Sequence, residues 1–316
     1  MKIISGSFVL LLLLLTFQCS VNAQESIQPD IYSIKLVFSD EYTYSEYSSA
    51  ITGISDPHGI LLHKDTLLVT DWKGNNIVLL DKECNLIRMI GELGSAPLEF
   101  IKPTGITSYH GEIFIIDSGN NRIQVLNEDF SYKCSIRIPE IPGAFFTDIA
   151  VNSEYIYINS NSIDDFYGGI YRGSMQEEFT KMTDTLYGPL YACGDNVYAV
   201  NTLECSKEGD DYCAKTGRNQ LFLILSDGLQ VICDLPKDYT PVDFIINQDR
   251  LFCLSCSNFT LNEHMMNGQY QYTLFDFSPL RDNIVSLDAV MAGDNTDSLY
   301  IANYVEGIMI RIKKEN

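Results

Sequence analysis

Residues 56–81 read DPHGILLHKDTLLVTDWKGNNIVLLD, and residues 102–127, 46 positions later, read KPTGITSYHGEIFIIDSGNNRIQVLN. Gly59 falls on Gly105, Asp71 on Asp117, Asn75 on Asn121 and Ile77 on Ile123. A period of this size marks a repeated sheet unit rather than two domains. In each copy a β-prone run (67–70, 113–116) ends at an aspartate and a second run follows a Gly/Asn turn. Gly and Asn tolerate the positive φ that tight hairpins need.

The phrase returns in degraded form four more times. Its anchors are Leu68, Phe114, Tyr157, Tyr198, Phe252 and Tyr300, spaced by 46, 43, 41, 54 and 48 residues. Short strands at this spacing predict an all-β fold, a six-bladed β-propeller of four-stranded antiparallel blades. The last unit lacks an outer strand, because only four residues follow 308–312. The strand-like segment 31–38 is expected to fill that place and close the ring, leaving no open edge. The stretches 159–171, 202–220 and 258–272 read as long loops on one end face, where function often resides.

The N-terminus has the form of an export signal: Lys2, an apolar run over 8–17, and short residues up to Ala23. Cleavage near Ala23 implies a single propeller domain over 24–316, placed in the secreted, periplasmic or cell-surface compartment. Lipid attachment at Cys19 is the alternative. Eight cysteines then remain, an even count that permits disulfides in an exported chain. Cys205 and Cys213 bracket a charged insertion and form the best local pair. Cys253-Leu254-Ser255-Cys256 has redox spacing but sits in a strand-like run, without the helix N-terminus that lowers a thiol pKa. The chain carries 42 acidic and 21 basic residues, a net charge of −21. That charge repels phosphate backbones and excludes nucleic acid as a general partner. No later apolar stretch is long enough to span a bilayer.

Blade two, with Lys102-Pro103-Thr104-Gly105-Ile106 and then 115–125 (IIDSGNNRIQV), resembles the NHL-repeat class of six-bladed propellers. Blade one matches well and the other four weakly. The resemblance implies a scaffold that binds ligands on an end face near the axis. It leaves the activity open, since the class contains protein, RNA and glycan binders as well as lyases and hydrolases. Asp56-Pro57-His58-Gly59 is similar to the first zinc-histidine segment of peptidyl-hydroxyglycine amidating lyases. Those enzymes hold their metal with histidines from three blades. Here Thr104 and Leu190 stand at the matching places in blades two and four, and neither is a zinc ligand of that kind.

His58 is expected at the mouth of the central channel. Trp72, the only tryptophan, and Lys73 share an end-face turn and can meet a sugar ring or a peptide side chain. Asp71 and Asp117 occupy one repeated slot, which points to turn capping through backbone N–H groups. Arg122 can pair with an aspartate or meet a ligand. Asp148, Asp165 and Tyr304 complete the candidate end face. The acidic groups Asp164-Asp165 and Glu208, Asp210 and Asp211 lack the spacing of a calcium loop, so a divalent cation such as calcium is only weakly indicated and no cofactor is expected. Asn258-Phe259-Thr260 is a glycosylation sequon. Together these residues suggest a non-catalytic binding protein for a peptide, protein or glycan ligand. The alternative is a hydrolase or lyase with carboxylates drawn from separate blades, which sequence spacing does not reveal.

Overall fold

The computed structural model describes residues 42–141, 144–162, 169–183, 186, 188–201, 204–208, 211–215, 219–278, 289–293, 298–304 and 307–314. All of them lie in one unit, Ile31–Asn316. They form six four-stranded antiparallel sheets arranged as a closed ring. Blade one is Pro57–His63, Thr66–Asp71, Asn76–Leu80 and Leu86–Ile90. Blade two is Pro103–Tyr109, Glu112–Asp117, Arg122–Leu126 and Tyr132–Arg137. Blade three is Ala144–Val151, Ile156–Ser162, Gly169–Gly173 and Thr180–Lys181. Blade four is Leu190–Cys193, Asn196–Val200, Gln220–Leu225 and Gly228–Asp234. Blade five is Pro241–Asn247, Arg250–Ser255, Thr260–Met265 and Tyr270–Asp276. Blade six is Ala289–Gly293, Ser298–Asn303 and Met309–Lys314, completed by Tyr42–Tyr47 from the start of the described chain.

The core lies between blades, not inside any one of them. Alternate side chains of a middle strand face opposite neighbours. Leu68 packs with Ile113 and Ile115 of blade two, while Leu67 and Val69 pack with Tyr300 and Ala302 of blade six. Both faces of a middle strand are therefore covered, which is why these strands read as unbroken apolar runs rather than alternating ones. The outer strand of blade one is the converse: Leu86, Ile87 and Met89 are exposed.

The repeated aspartates cap turns, as their sequence slot suggested. Asp71 accepts N–H bonds from Ser55, Asp56 and Gly74 at 2.8–3.1 Å. Asp117 accepts from the Ile101 N–H, Asn120 Nδ2, Arg122 Nε and Gln124 Nε2. Asn75 and Asn121 sit at φ 55° and 48° and turn the chain between the second and third strands.

Four expectations need correction. The ring is closed by an N-terminal strand, but that strand is Tyr42–Tyr47, and residues 31–38 lie outside the described residues. Met309–Lys314 is flanked by Tyr42–Tyr47 and Ser298–Asn303. Residues 258–272 are not a long loop. They supply the third and fourth strands of blade five, and His264 is fully buried in the third. The polar run Asn262-Glu263-His264 hid that strand: Asn262 bonds Thr260 and Thr273, and Glu263 pairs with Arg250 at 3.0 Å. The region 202–220 carries an added two-stranded sheet, Glu204–Glu208 with Asp211–Lys215.

The disulfide expectation is the fourth. The register of that added sheet sets Cys205 opposite Ala214 and Cys213 opposite Ser206, one step out of the direct opposition a cross-strand bridge needs. The side chains of both lie outside the described residues. Among the described residues there is no disulfide: Cys84, Cys134, Cys193, Cys233, Cys253 and Cys256 are all thiols. Burial pushes the Cys84 thiol up to about 12 and, with the nearby Asp234 carboxylate adding to it, Cys233 up to about 11. These two are expected to resist alkylation in native protein, where little reactive thiolate forms. All six should label after denaturation without reductant; recovery of any of them as a bridged peptide by mass spectrometry would overturn the assignment.

Candidate functional site

The inner strands of all six blades line an axial cavity of about 560 Å³. Its wall is set by how closely these strands approach. A Cβ on Gly59 would lie 2.5 Å from the Thr104 carbonyl oxygen, and one on Gly105 would lie 2.8 Å from Asp148 Cα. Blades one and two therefore need glycine at this slot. Blades three and five carry Asp148 and Asp243 at the place of Gly59, each just after a bulge in the inner strand.

Each of these carboxyls spans the gap to the next blade. Asp148 accepts the Ile149 N–H at 2.8 Å and the Leu190 N–H of blade four at 2.7 Å. Asp243 accepts the Phe244 N–H at 2.7 Å and the Met291 N–H of blade six at 2.5 Å. Accepted N–H bonds lower a carboxyl pKa, whereas burial without a counter-cation raises it. Burial wins at both sites. It pushes Asp148 up to about 7, and it pushes Asp243 well above the carboxylate range with help from the Asp148 charge.

His58 occupies the bulge of blade one, on the same cavity. Its ring stacks on Tyr304 at 4.5 Å and on Trp72 at 5.6 Å, and Lys102 Nζ lies 4.4 Å over the Trp72 ring. Nε2 faces Asp56 Oδ1 at 3.2 Å. Burial lowers the His58 pKa, against the pull of Asp56 and Asp71. The imidazole is thus neutral at pH 7, and with Nε2–H donating to Asp56 its Nδ1 holds a lone pair. Blades one, three and five alternate around the ring, so His58, Asp148 and Asp243 stand on three separated sectors of one wall.

Of the candidate end-face residues His58, Trp72, Lys73, Arg122, Asp148, Asp165 and Tyr304, the structure sets His58, Asp148 and Tyr304 on the cavity and stacks Trp72 on His58. Lys73 is exposed in the turn beside them. Arg122 lies away from the cavity: besides Asp117, it donates to the carbonyls of Ser95, Ala96 and Glu99. Asp165 lies outside the described residues. Asp243 and Asn159 were missed. Asp243 was legible, because Val242-Asp243-Phe244 repeats Thr147-Asp148-Ile149 at the glycine slot. Asn159 had no such signal; its role depends on Gly188, 29 residues away, whose carbonyl accepts its Nδ2–H at 2.5 Å. Among the described residues no three His, Cys, Asp or Glu side chains converge in a way that could hold a metal.

A protein-family model described as a 6-bladed beta-propeller (DUF5128) matches residues 50–205. That description is coarser than the NHL-repeat class. No curated protein sequence matches significantly. Solved structures with the same fold include virginiamycin B lyase from Staphylococcus aureus (12% identity, TM-score 0.56, covering 86% of this chain and 99% of that one). They also include a luciferin-regenerating enzyme (11%, 0.59, 86% and 97%) and Kuenenia stuttgartiensis hydrazine synthase (9%, 0.53, 84% and 97%). At these identities the likeness shows the fold alone. The expectation of a non-catalytic binding protein is corrected: two buried carboxyls line an axial cavity in place of a broad aromatic face, and the proteins of like fold just described are named as enzymes, which favours the hydrolase or lyase alternative.

Proposed function

We propose that this chain is an exported enzyme, a hydrolase or lyase, that breaks a bond of a substrate held in the axial cavity by acid–base catalysis. The observation that carries this reading is that Asp148, Asp243 and His58 face one cavity, where burial raises both carboxyls above the usual carboxylate range and lowers the imidazole. His58, oriented by Asp56, takes a proton from the substrate or from an attacking water. A protonated carboxyl of the Asp148–Asp243 pair gives one to the leaving group. Pairs of titratable groups whose environments drive their pKa values apart divide acid and base roles in this way. Tyr304 and Trp72 fix the imidazole plane by stacking. Asp148 and Asp243 also clasp adjacent blades, which holds both carboxyls rigid and keeps the reorganisation cost low.

The leader 1–23 and the propeller domain 24–316 complete the proposal, as does the reading of blades one and two as NHL-type repeats. Among the described residues no helix is long and apolar enough to cross a membrane. The test is a turnover screen of glycans, esters, lactones and peptides with product analysis on the intact chain. Cleavage of at least one class is expected, and it should disappear in Asp243→Asn protein that remains folded. Failure of the folded chain to turn over any class, or full activity in the variant, would overturn the reading.

A further inference from the structure

We propose that the axial cavity selects its substrate through a cationic nitrogen group, an ammonium or guanidinium, seated between Asp148 and Asp243. This rests on the cavity being the active site and names the substrate class it takes. Each oxygen of the two carboxyls receives one backbone N–H, although a carboxylate offers about four lone-pair sites. Acceptor capacity therefore remains on both walls.

Asn159 adds an independent sign. Its side chain lines the cavity, is 3% exposed, and is fixed by the Nδ2–H bond to the Gly188 carbonyl. Its Oδ1 has no hydrogen-bond partner. A buried amide oxygen without a donor is costly, and a ligand N–H removes that cost.

The rest of the lining agrees. No lysine or arginine lines the cavity among the described residues, and the titratable side chains facing it are His58, Asp148, Tyr191, Asp243, Cys256 and Tyr304. A carboxylate or phosphate ligand would meet acceptors and neutral groups. A neutral polyol could donate hydrogen bonds but would leave both buried carboxyls without a counter-cation. A cation supplies that counter-charge. The net charge of −21 raises the local concentration of cations around the whole ring.

The test is isothermal titration calorimetry on the full chain with butylamine, with butanol and butyrate as neutral and anionic isosteres. At pH 8 butylamine is expected to bind at least about tenfold more tightly than butanol, and butyrate not to bind, because charge-assisted bonds are roughly twice as strong as neutral ones. A bound cation ionises the carboxyl it pairs with, so binding should release up to one proton and leave the other carboxyl as the acid. The observed heat should then differ between phosphate and Tris buffers, and affinity should rise from pH 5 to pH 8 while the amine stays charged. No butylamine binding, equal affinity for butanol, or heats independent of buffer would each overturn the proposal. Asp243→Asn should remove the preference for the amine, and the wild-type buffer comparison decides the matter if that variant fails to fold. Amine binding with proton release but no turnover in the substrate screen would sustain the cation site and sink the catalytic reading. Cleavage of a neutral substrate without amine binding would do the reverse.

Discussion

Deletion of Tyr42–Tyr47 is expected to abolish cooperative folding of the ring. The strand pairs in register with Met309–Lys314, from Tyr42 opposite Lys314 to Tyr47 opposite Met309. Its side chains stitch blade six in two directions. Tyr44 faces blade five, with its ring 5.1 Å from that of Phe275 in an edge-to-face arrangement. Tyr47 faces blade one and packs in the cluster that holds Leu80 and Cys84. Truncating a buried aromatic typically costs about 3–5 kcal/mol, and a whole domain is stable by only about 5–15 kcal/mol. Loss of both tyrosines and of the strand pairing therefore matches or exceeds the total. The uncovered edge of Met309–Lys314 would also invite pairing with another chain. The single variant Tyr44→Ala isolates one part of this. Its melting temperature should fall by about 10 °C, since 1 kcal/mol shifts a domain of this size by roughly 2–4 °C. Calorimetry that finds a change below about 2 °C, or a truncated chain that melts cooperatively at the wild-type temperature, would refute the closure.

The closure also shows what the sequence could and could not say. A missing outer strand was legible as a count, because the last repeat shows one β-prone run fewer than the others. Which N-terminal segment fills it was not. Residues 31–38 have the stronger apolar run, but Tyr42–Tyr47 has tyrosines three apart, which in a strand point to opposite faces and can reach two neighbouring blades. Blades one and two were read directly, since Asp71 and Asp117 recur where the turn needs an acceptor for several backbone N–H groups. Blade five was blurred because Asn262, Glu263 and His264 are buried polar residues, and their partners are set by the fold rather than by local pattern. The site followed the same division. His58, Trp72 and Tyr304 were legible from topology and residue type. The juxtaposition of Asp148 and Asp243 depends on two inner strands, about 95 residues apart in sequence, that face one cavity. Composition favoured a binding face, but the glycine slots at Gly59 and Gly105 let the inner strands approach closely and two buried aspartates line the cavity between them.

The activity should follow a bell-shaped pH profile whose two limbs belong to different blades around the cavity. His58 must be neutral to accept a proton, and burial lowers its pKa, so the acid limb should lie below the ordinary histidine value of about 6.5. The Asp148–Asp243 pair must hold a proton to donate it. Burial raises both groups well above the usual carboxylate range, Asp148 to about 7, so the alkaline limb should lie near neutrality rather than near pH 4. The Asp148 charge helps to raise Asp243, so the alkaline limb is expected to report both carboxyls. His58→Gln should lose the acid limb and keep the alkaline one. Asp243→Asn should lower kcat/KM by roughly 10²–10⁴-fold, the span of general acid catalysis. This variant also has a structural cost. Both Asp243 oxygens accept backbone N–H bonds, from Phe244 and Met291, and an amide sets an NH₂ against one of them. A buried donor left unpaired costs about 1–3 kcal/mol, so the melting temperature should fall by several degrees while the ring stays folded at 25 °C. Measuring both quantities separates the roles: a purely structural clasp would lower stability and leave the pH profile of the residual activity unchanged, whereas an acid group moves the alkaline limb. An alkaline limb that stays in place in folded Asp243→Asn and Asp148→Asn proteins would remove the carboxyl pair from the mechanism.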